Sequence, residues 1–431
     1  MVEFYLGLLF IICFGLIGWG MLKSERIYQF PFYMGAVFIP FILPQAVSLV
    51  YYNPGIVTVA GLQNVLIVSC LCVAMCWIGF YPKANVKFIR AIQKLEFQLD
   101  NKKLLTAGVV VSIIGSICQY TTLVINADIS ENGGWTGPIT IVYFFGQIYY
   151  VGLAILIQSF VRKMSFSKAM IIALTLAPVL FRIIINGRRS PTAGLLIIIG
   201  ATLFFERKIL PPRLLVLGTV MSAVVLIPIF GLLRFGFWEQ LFSGQLTVAQ
   251  LQTALDSLLS GKILELRNAA VAIEYINQKN IYGLGSGYWN SLVFQFIPAQ
   301  IFGKLFKDSL YIQSGLSVRD LHKAVSYYLS YNVPNGSTIT GIGDSFVEFG
   351  YFGCFLFGLL AYFFKNLWVS ATYYKGSFSR IIYVSIISSA HWMVTHSTYT
   401  FFASNLVFQG LVLIAIRWFA SSKRYSMIRL S

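Results

Sequence analysis

Long apolar stretches alternate along the chain with short, basic connectors. A run of about 20 apolar residues is what an α-helix needs to cross the hydrocarbon of a bilayer. Such runs lie near 4–22, 31–50, 59–81, 104–124, 138–160, 169–186, 191–205, 214–233, 344–364, 379–397 and 400–419. The pattern predicts an all-α polytopic membrane protein with about eleven transmembrane helices. Between the eighth and ninth runs it lapses, because 234–342 is hydrophilic and too long for a simple connector. The chain therefore divides into helices one to eight over 1–233, a large loop over 234–342, and helices nine to eleven with a basic tail over 343–431. Within the loop, Leu251, Leu258, Leu259, Ile263, Leu266, Ala270 and Ile273 recur at helical spacing. That spacing predicts a partly folded loop with an amphipathic helix lying on the membrane surface.

Composition narrows the class. Of 431 residues, 57% are hydrophobic and only 11% charged, against the roughly 25% charged residues of a soluble domain. The formal net charge of +17 reads as topology. Twenty-one of the 32 Lys and Arg lie in 23–26, 83–103, 162–168, 206–213, 365–380 and 417–429, accompanied only by Glu25, Glu96, Asp100 and Glu206. Basic residues gather on the cytoplasmic side of short loops. This puts the N-terminus and the 234–342 loop outside and the C-terminus inside. The inner segments then account for the whole charge, which gives no reason to propose nucleic-acid binding.

The six cysteines sit inside apolar runs with no His at ligand spacing, so they read as packing residues, with no disulfide framework and no metal site. The first apolar run follows Met1-Val2-Glu3 and is long enough to span, so it is expected to stay as a helix. No Walker A, HExxH or GxSxG sequence occurs.

Outside the long loop, the outer side carries only three basic residues, Arg182, Arg188 and Arg189, all at one hairpin. Asn186-Gly187 reads as its turn, Ser190 as a helix N-cap and Pro191 as the first helical residue. A helix start flanked by guanidinium groups is a ready anion site, and Arg grips phosphate oxygens bidentately. Snorkelling to lipid headgroups is the competing reading for Arg188 and Arg189. It fits Arg182 less well, since a charge inside a helix costs roughly 2.5–3.5 kcal/mol on insertion scales. Arg234, where the eighth helix exits, and Arg267, in the loop, can extend this basic pocket.

Candidates for proton transfer follow later in the chain. Asp344 and Glu348 stand four apart on one helical face near the outer surface. Either can act as a general base or bind a sugar hydroxyl, although Asp344 can equally complement its own helix N-terminus. His396 falls at the outer mouth of the tenth helix and is the better histidine candidate. His391, deeper in the same helix, reads first as a polar packing residue. Tyr282, Tyr288, Trp289, Phe294 and Phe296 can stack on sugar rings or form an interfacial aromatic belt.

With these residues in view, the chain resembles the bacterial O-antigen polymerase family, the Wzy-type oligosaccharide repeat unit polymerases. The resemblance covers the order of helices and late outer loop. It is carried by Arg267-Asn268-Ala269-Ala270, Tyr282-Gly283-Leu284-Gly285-Ser286-Gly287-Tyr288-Trp289, Phe296-Ile297-Pro298-Ala299-Gln300 and Gly341-Ile342-Gly343-Asp344 with Phe349-Gly350-Tyr351-Phe352-Gly353. It implies a GT-C-like glycosyltransferase of the bacterial inner membrane. Such an enzyme transfers a growing glycan from undecaprenyl pyrophosphate to the non-reducing end of the next lipid-linked repeat unit. On this expectation Arg182, Arg188, Arg189, Arg234 and Arg267 hold the donor pyrophosphate, and His396, Glu348 or Asp344 is the base. No cofactor is expected. The partners are the lipid-linked oligosaccharide, membrane lipids, a chain-length regulator and a flippase. An O-antigen ligase shares these features and differs in its acceptor. A flippase for lipid-linked sugars is the rival from another class, although it would spread its charges over many helices.

Overall fold

The protein is described here from a computed structural model covering residues 1–53, 55–96, 99–125, 128–129, 135–136, 138–232, 242–244, 252, 265–313, 318–334, 337–373 and 376–421, without the side chains of 128–129, 135–136, 227–232, 318–320 and 322–324. Eight helical segments among these residues are long and apolar enough to cross a membrane: Val2–Leu22, Phe30–Tyr51, Val59–Ile78, Asn101–Val124, Ile139–Arg162, Phe166–Ile184, Thr340–Tyr373 and Thr398–Phe419. The architecture is that of an all-α polytopic membrane protein, with one two-residue antiparallel pair, Asp128–Ile129 with Trp135–Thr136, in a connection. Of the three other predicted spans, Arg189–Arg207 is a full helix whose Arg189, Glu206 and Arg207 lower its mean hydropathy. Arg213–Leu232 is apolar over Arg213–Leu226. The third, 379–397, is broken.

Helix starts use local polar side chains. Thr58 accepts from Gly61 N–H, Asp100 from Lys102 and Lys103 N–H, and Ser165 from Lys168 N–H. Those amide donors hold the Asp100 carboxyl below the usual carboxylate range.

The basic segments meet at one end of the bundle. Glu206 pairs with Arg162 (2.8 Å) and Arg380 (2.9 Å), and Arg213 reaches Ser24 Oγ. Glu96 accepts from Phe378 N–H at 3.1 Å and Ser379 Oγ at 2.8 Å, and Arg417 donates to the Leu95 carbonyl. An unanticipated amphipathic helix, Val86–Glu96, lies among them.

Three predicted helices prove discontinuous. The 138–160 run forms Ile139–Gly146 and Tyr149–Arg162, separated at Gln147-Ile148. The ninth helix starts earlier than predicted, at Thr340, and breaks after Phe349, where Gly350 takes φ +57 before Cys354–Tyr373 resumes. A residue with a Cβ is strained in that conformation. The tenth ends at Ile387. Here Ser388 and Ser389 turn their hydroxyls back onto the carbonyls of Ser385 and Ile386, competing with the helical ladder. The backbone then runs through Ser389, Ala390, Trp392 and Met393 on i to i−3 bonds into the short Trp392–Thr395 helix.

The loop helix is also corrected. The described part of the 251–276 run is Glu265–Lys279, and Leu266 through Ile276 are all buried. It does not lie on a surface. It packs against Phe30–Tyr51, Val59–Ile78 and Thr340–Phe349, because its polar residues find partners there. Gln45 Oε1 accepts Leu266 N–H at 2.8 Å, Asn268 donates to Ser337 Oγ and the Thr338 carbonyl, and Glu274 accepts Thr58 N–H.

Candidate functional site

The arginine hairpin joins Phe166–Ile184 to Arg189–Arg207, each of 19 residues. Gly187 at φ +55 lets the chain reverse, and Arg188 N–H closes onto the Arg182 carbonyl at 3.0 Å. The second helix runs from here to the basic end, roughly 27 Å away at 1.5 Å per residue. Its predicted cap is corrected: Arg188 is the N-cap without a side-chain bond, and Ser190 is already the second helical residue. Ser190 instead spends its hydroxyl on a distant histidine.

Arg182 is half-buried and donates to the Gln119 carbonyl (3.2 Å) and Thr122 Oγ1 on the neighbouring helix. Its Nε is buried with no hydrogen-bond partner among the described residues. Tyr143 and Tyr150 lie within electrostatic reach of Arg182, and Tyr143 also of Arg188. Arg188 is exposed and Arg189 half-buried. Neither Arg182 nor Arg188 forms an ion pair among the described residues, where both ion pairs belong to Glu206. The hairpin therefore concentrates positive charge beside a helix start, with no carboxylate among the described residues paired to Arg182 or Arg188, which makes it a candidate anion site.

Behind the hairpin lies a chain of neutral polar groups. Ser190 Oγ is 2.6 Å from His391 Nε2, and His391 Nδ1 is 3.0 Å from Tyr33 Oη. The broken tenth helix makes this possible by presenting His391 toward the other two. His391 is thus held as a packing histidine would be, with the Ser388 backbone a further partner, yet one of its contacts is the half-buried Ser190 beside Arg189.

On the other flank of the same broken segment sit the two carboxylates, both fully buried. Glu348 accepts Gly285 N–H at 2.6 Å, Gly287 N–H at 3.1 Å and Tyr399 O–H at 2.7 Å. Leu284 at φ +49 and Gly285 at φ +93 curl the loop around it. A Cβ on Gly283 would stand 2.6 Å from a Glu348 oxygen, and one on Gly287 would overlap the other. The glycine-rich piece is therefore a cradle for this carboxylate. Asp344 Oδ2 accepts Thr398 N–H at 2.9 Å, next to Ser397, whose own side chain accepts Thr400 N–H. Asp344 does complement a helix N-terminus, that of the Thr398 helix and not its own.

The remaining candidates are dispersed. His396 is half-buried against Trp392, ring centroids 5.0 Å apart, and no hydrogen bond joins its ring to another described residue. Arg267 is buried beneath Tyr331, 6.0 Å from the ring centroid, in the helix that meets Gln45. Gln45 stands twelve residues along its helix from Tyr33, roughly 18 Å, so Arg267 is not part of the hairpin cluster. Arg234 lies outside the described residues. Among the loop aromatics, Tyr288 packs on Tyr399 and donates to Thr398 Oγ1, while Trp289 and Phe294 stay exposed.

Sequence reasoning missed the Ser190–His391–Tyr33 connection and the role of the glycine cradle. The polar Ser388-Ser389-Ala390-His391 inside an apolar run was the available signal for the first. Among the described residues no group of three or more His, Cys, Asp or Glu is placed to hold a metal ion. Comparison of the chain with protein-family models, curated proteins and solved structures finds no match.

Proposed function

We propose that this chain is a membrane glycosyltransferase that polymerises lipid-linked oligosaccharide repeat units. It moves the growing glycan from undecaprenyl pyrophosphate onto the non-reducing end of the next unit, at the periplasmic face of the bacterial inner membrane. The chain crosses that membrane eleven times, with its N-terminus outside and its C-terminus in the cytoplasm. The observation that carries this reading is the hairpin, where Arg182 and Arg188 meet a helix start without a carboxylate partner among the described residues. A sugar leaving a lipid pyrophosphate puts negative charge on that group, and fixed guanidinium groups in a low-dielectric setting stabilise it as it develops. The hairpin lies at the end of the molecule away from the basic cluster, as a periplasmic site opposite a cytoplasmic face requires. For the acceptor hydroxyl, His396, Asp344 and Glu348 are the sequence candidates. Both carboxylates are engaged in holding the loop and the Thr398 helix, and the half-buried His396 ring packs against Trp392.

Deleting the gene and separating the surface polysaccharide on a gel tests the proposal. Lipid A core carrying a single repeat unit supports a polymerase. A bare core with polymer retained on its carrier indicates a ligase, and a bare core with units trapped on the cytoplasmic leaflet a flippase. An unchanged ladder overturns the reading.

A further inference from the structure

The half-buried Ser190 hydroxyl adjoins Arg188 and Arg189 in sequence and lies 2.6 Å from a histidine nitrogen. The two residues are 201 positions apart, and Tyr33 comes from a third helix, so the arrangement depends on the fold and not on a local turn. Apolar surroundings make such a chain costly unless each member is bonded. Packing alone is served by the closed Tyr33–His391 end. The Ser190 end is half-buried and follows Arg188 and Arg189 at the helix start.

We propose that Ser190 is the group that takes the proton of the incoming sugar hydroxyl, passing its own to His391, while Tyr33 positions the imidazole. This rests on the reading of the hairpin arginines as the donor pyrophosphate site. The acceptor oxygen bonds to the anomeric carbon of the donor sugar as the bond from that carbon to the pyrophosphate oxygen breaks. The electron pair of the broken bond stays on the pyrophosphate, beside the arginines. The acceptor proton moves to Ser190 Oγ as the Ser190 proton moves to His391 Nε2, and the imidazolium later returns its proton to solvent through Ser190. The step requires Nδ1–H to donate to Tyr33 Oη and Nε2 to be bare. A neutral imidazole between two hydroxyls can take that tautomer, with Tyr33 Oη accepting from Nδ1–H. His396 has no hydrogen bond linking it to the hairpin, and its ring faces Trp392.

The experiment uses the full chain in lipid vesicles, given lipid-linked repeat units, with the cellular ladder read in parallel. Ser190→Ala is expected to lower kcat roughly 10²–10³-fold, with the donor KM unchanged and protein level normal. Ser190→Thr restores most of the rate because it restores the hydroxyl. Tyr33→Phe, which keeps the ring and removes the oxygen that fixes the imidazole, lowers kcat by a smaller factor with KM unchanged. Ser190→Ala turning over at the wild-type kcat, or raising only KM, overturns the step while leaving the polymerase reading intact. A gene deletion that leaves the ladder unchanged overturns both.

Discussion

Two like-charged pairs in this molecule are treated oppositely. Asp344 and Glu348 are surrounded by donors from the chain itself, two loop amides, a tyrosine hydroxyl and the first amide of a helix. Arg182 and Arg188 face tyrosines, a carbonyl and a threonine hydroxyl, with no carboxylate ion pair among the described residues. A backbone offers amide donors wherever it can curl, so a buried anion is readily satisfied from within. A buried guanidinium needs a carboxylate to match its charge, as Glu206 does for Arg380, and among the described residues Arg182 has only a carbonyl and a hydroxyl. The carboxylate flank is thus satisfied from within the fold, and the arginine flank is where the proposed donor site lies.

The largest expected effect breaks the first half of this comparison. Glu348→Ala strips the acceptor from Gly285 N–H, Gly287 N–H and Tyr399 O–H, each costing about 1–3 kcal/mol when left buried and unpaired. Together these approach the whole stability of a typical domain, about 5–15 kcal/mol. The variant should fail to accumulate in the membrane, measured by immunoblot of membrane fractions. Normal accumulation with polymer lost would instead move Glu348 into the chemistry.

Next comes the arginine flank, where the opposite pattern is expected. Arg188→Ala and Arg189→Ala should reach normal levels but lose polymer. Each removes a charge-assisted hydrogen-bonding group worth about 1.5–3 kcal/mol, roughly a 10- to 100-fold fall in kcat/KM for the lipid pyrophosphate donor. Arg188→Lys should recover part of this, since the charge remains and the planar fork does not. Normal polymerisation by Arg189→Ala at normal level would remove the pyrophosphate assignment.

Smaller again is Asp344→Asn. The amide oxygen still accepts Thr398 N–H, so a loss near 1 kcal/mol is expected, seen as a modest fall in the unfolding temperature of detergent-solubilised protein, with polymer retained. A dead, well-folded Asp344→Asn would show that its negative charge matters beyond capping.

How much of this was readable beforehand follows from the range of each interaction. The apolar runs and basic connectors are local, and their pattern located most helices and the six basic segments that the fold gathers at one end. The hairpin was readable for the same reason, since Arg182, Asn186, Gly187 and Arg189 lie within two turns of each other. Breaks at Gly350 and after Ile387 were hidden, because an apolar window does not register a positive φ or a serine bonding backward. The purpose of Gly283 and Gly287 was hidden too, for the carboxylate they enclose is more than 60 residues away. Ser190 looked like a cap because its true partner is 201 positions along the chain.

The smallest expected effect sharpens the boundary of the arginine flank. Arg267 was grouped with the hairpin by sequence, yet its helix meets Phe30–Tyr51 at Gln45, while the His391 chain meets that helix at Tyr33. Twelve residues of helix separate them by roughly 18 Å, far more than one pyrophosphate can bridge. Arg267 also lies against Tyr331, whose hydroxyl donates to Asn268 Oδ1 at 2.7 Å. Burial pushes the Tyr331 hydroxyl above its ordinary range, with Arg267 opposing that shift. Arg267→Lys keeps the charge near Tyr331 and loses the planar fork, so it should change the donor KM by less than about threefold while Arg188→Lys changes it more. The two variants, compared in the same vesicle assay, define where the donor site ends. An Arg267→Lys defect in donor KM as large as that of Arg188→Lys would extend the site across the loop helix.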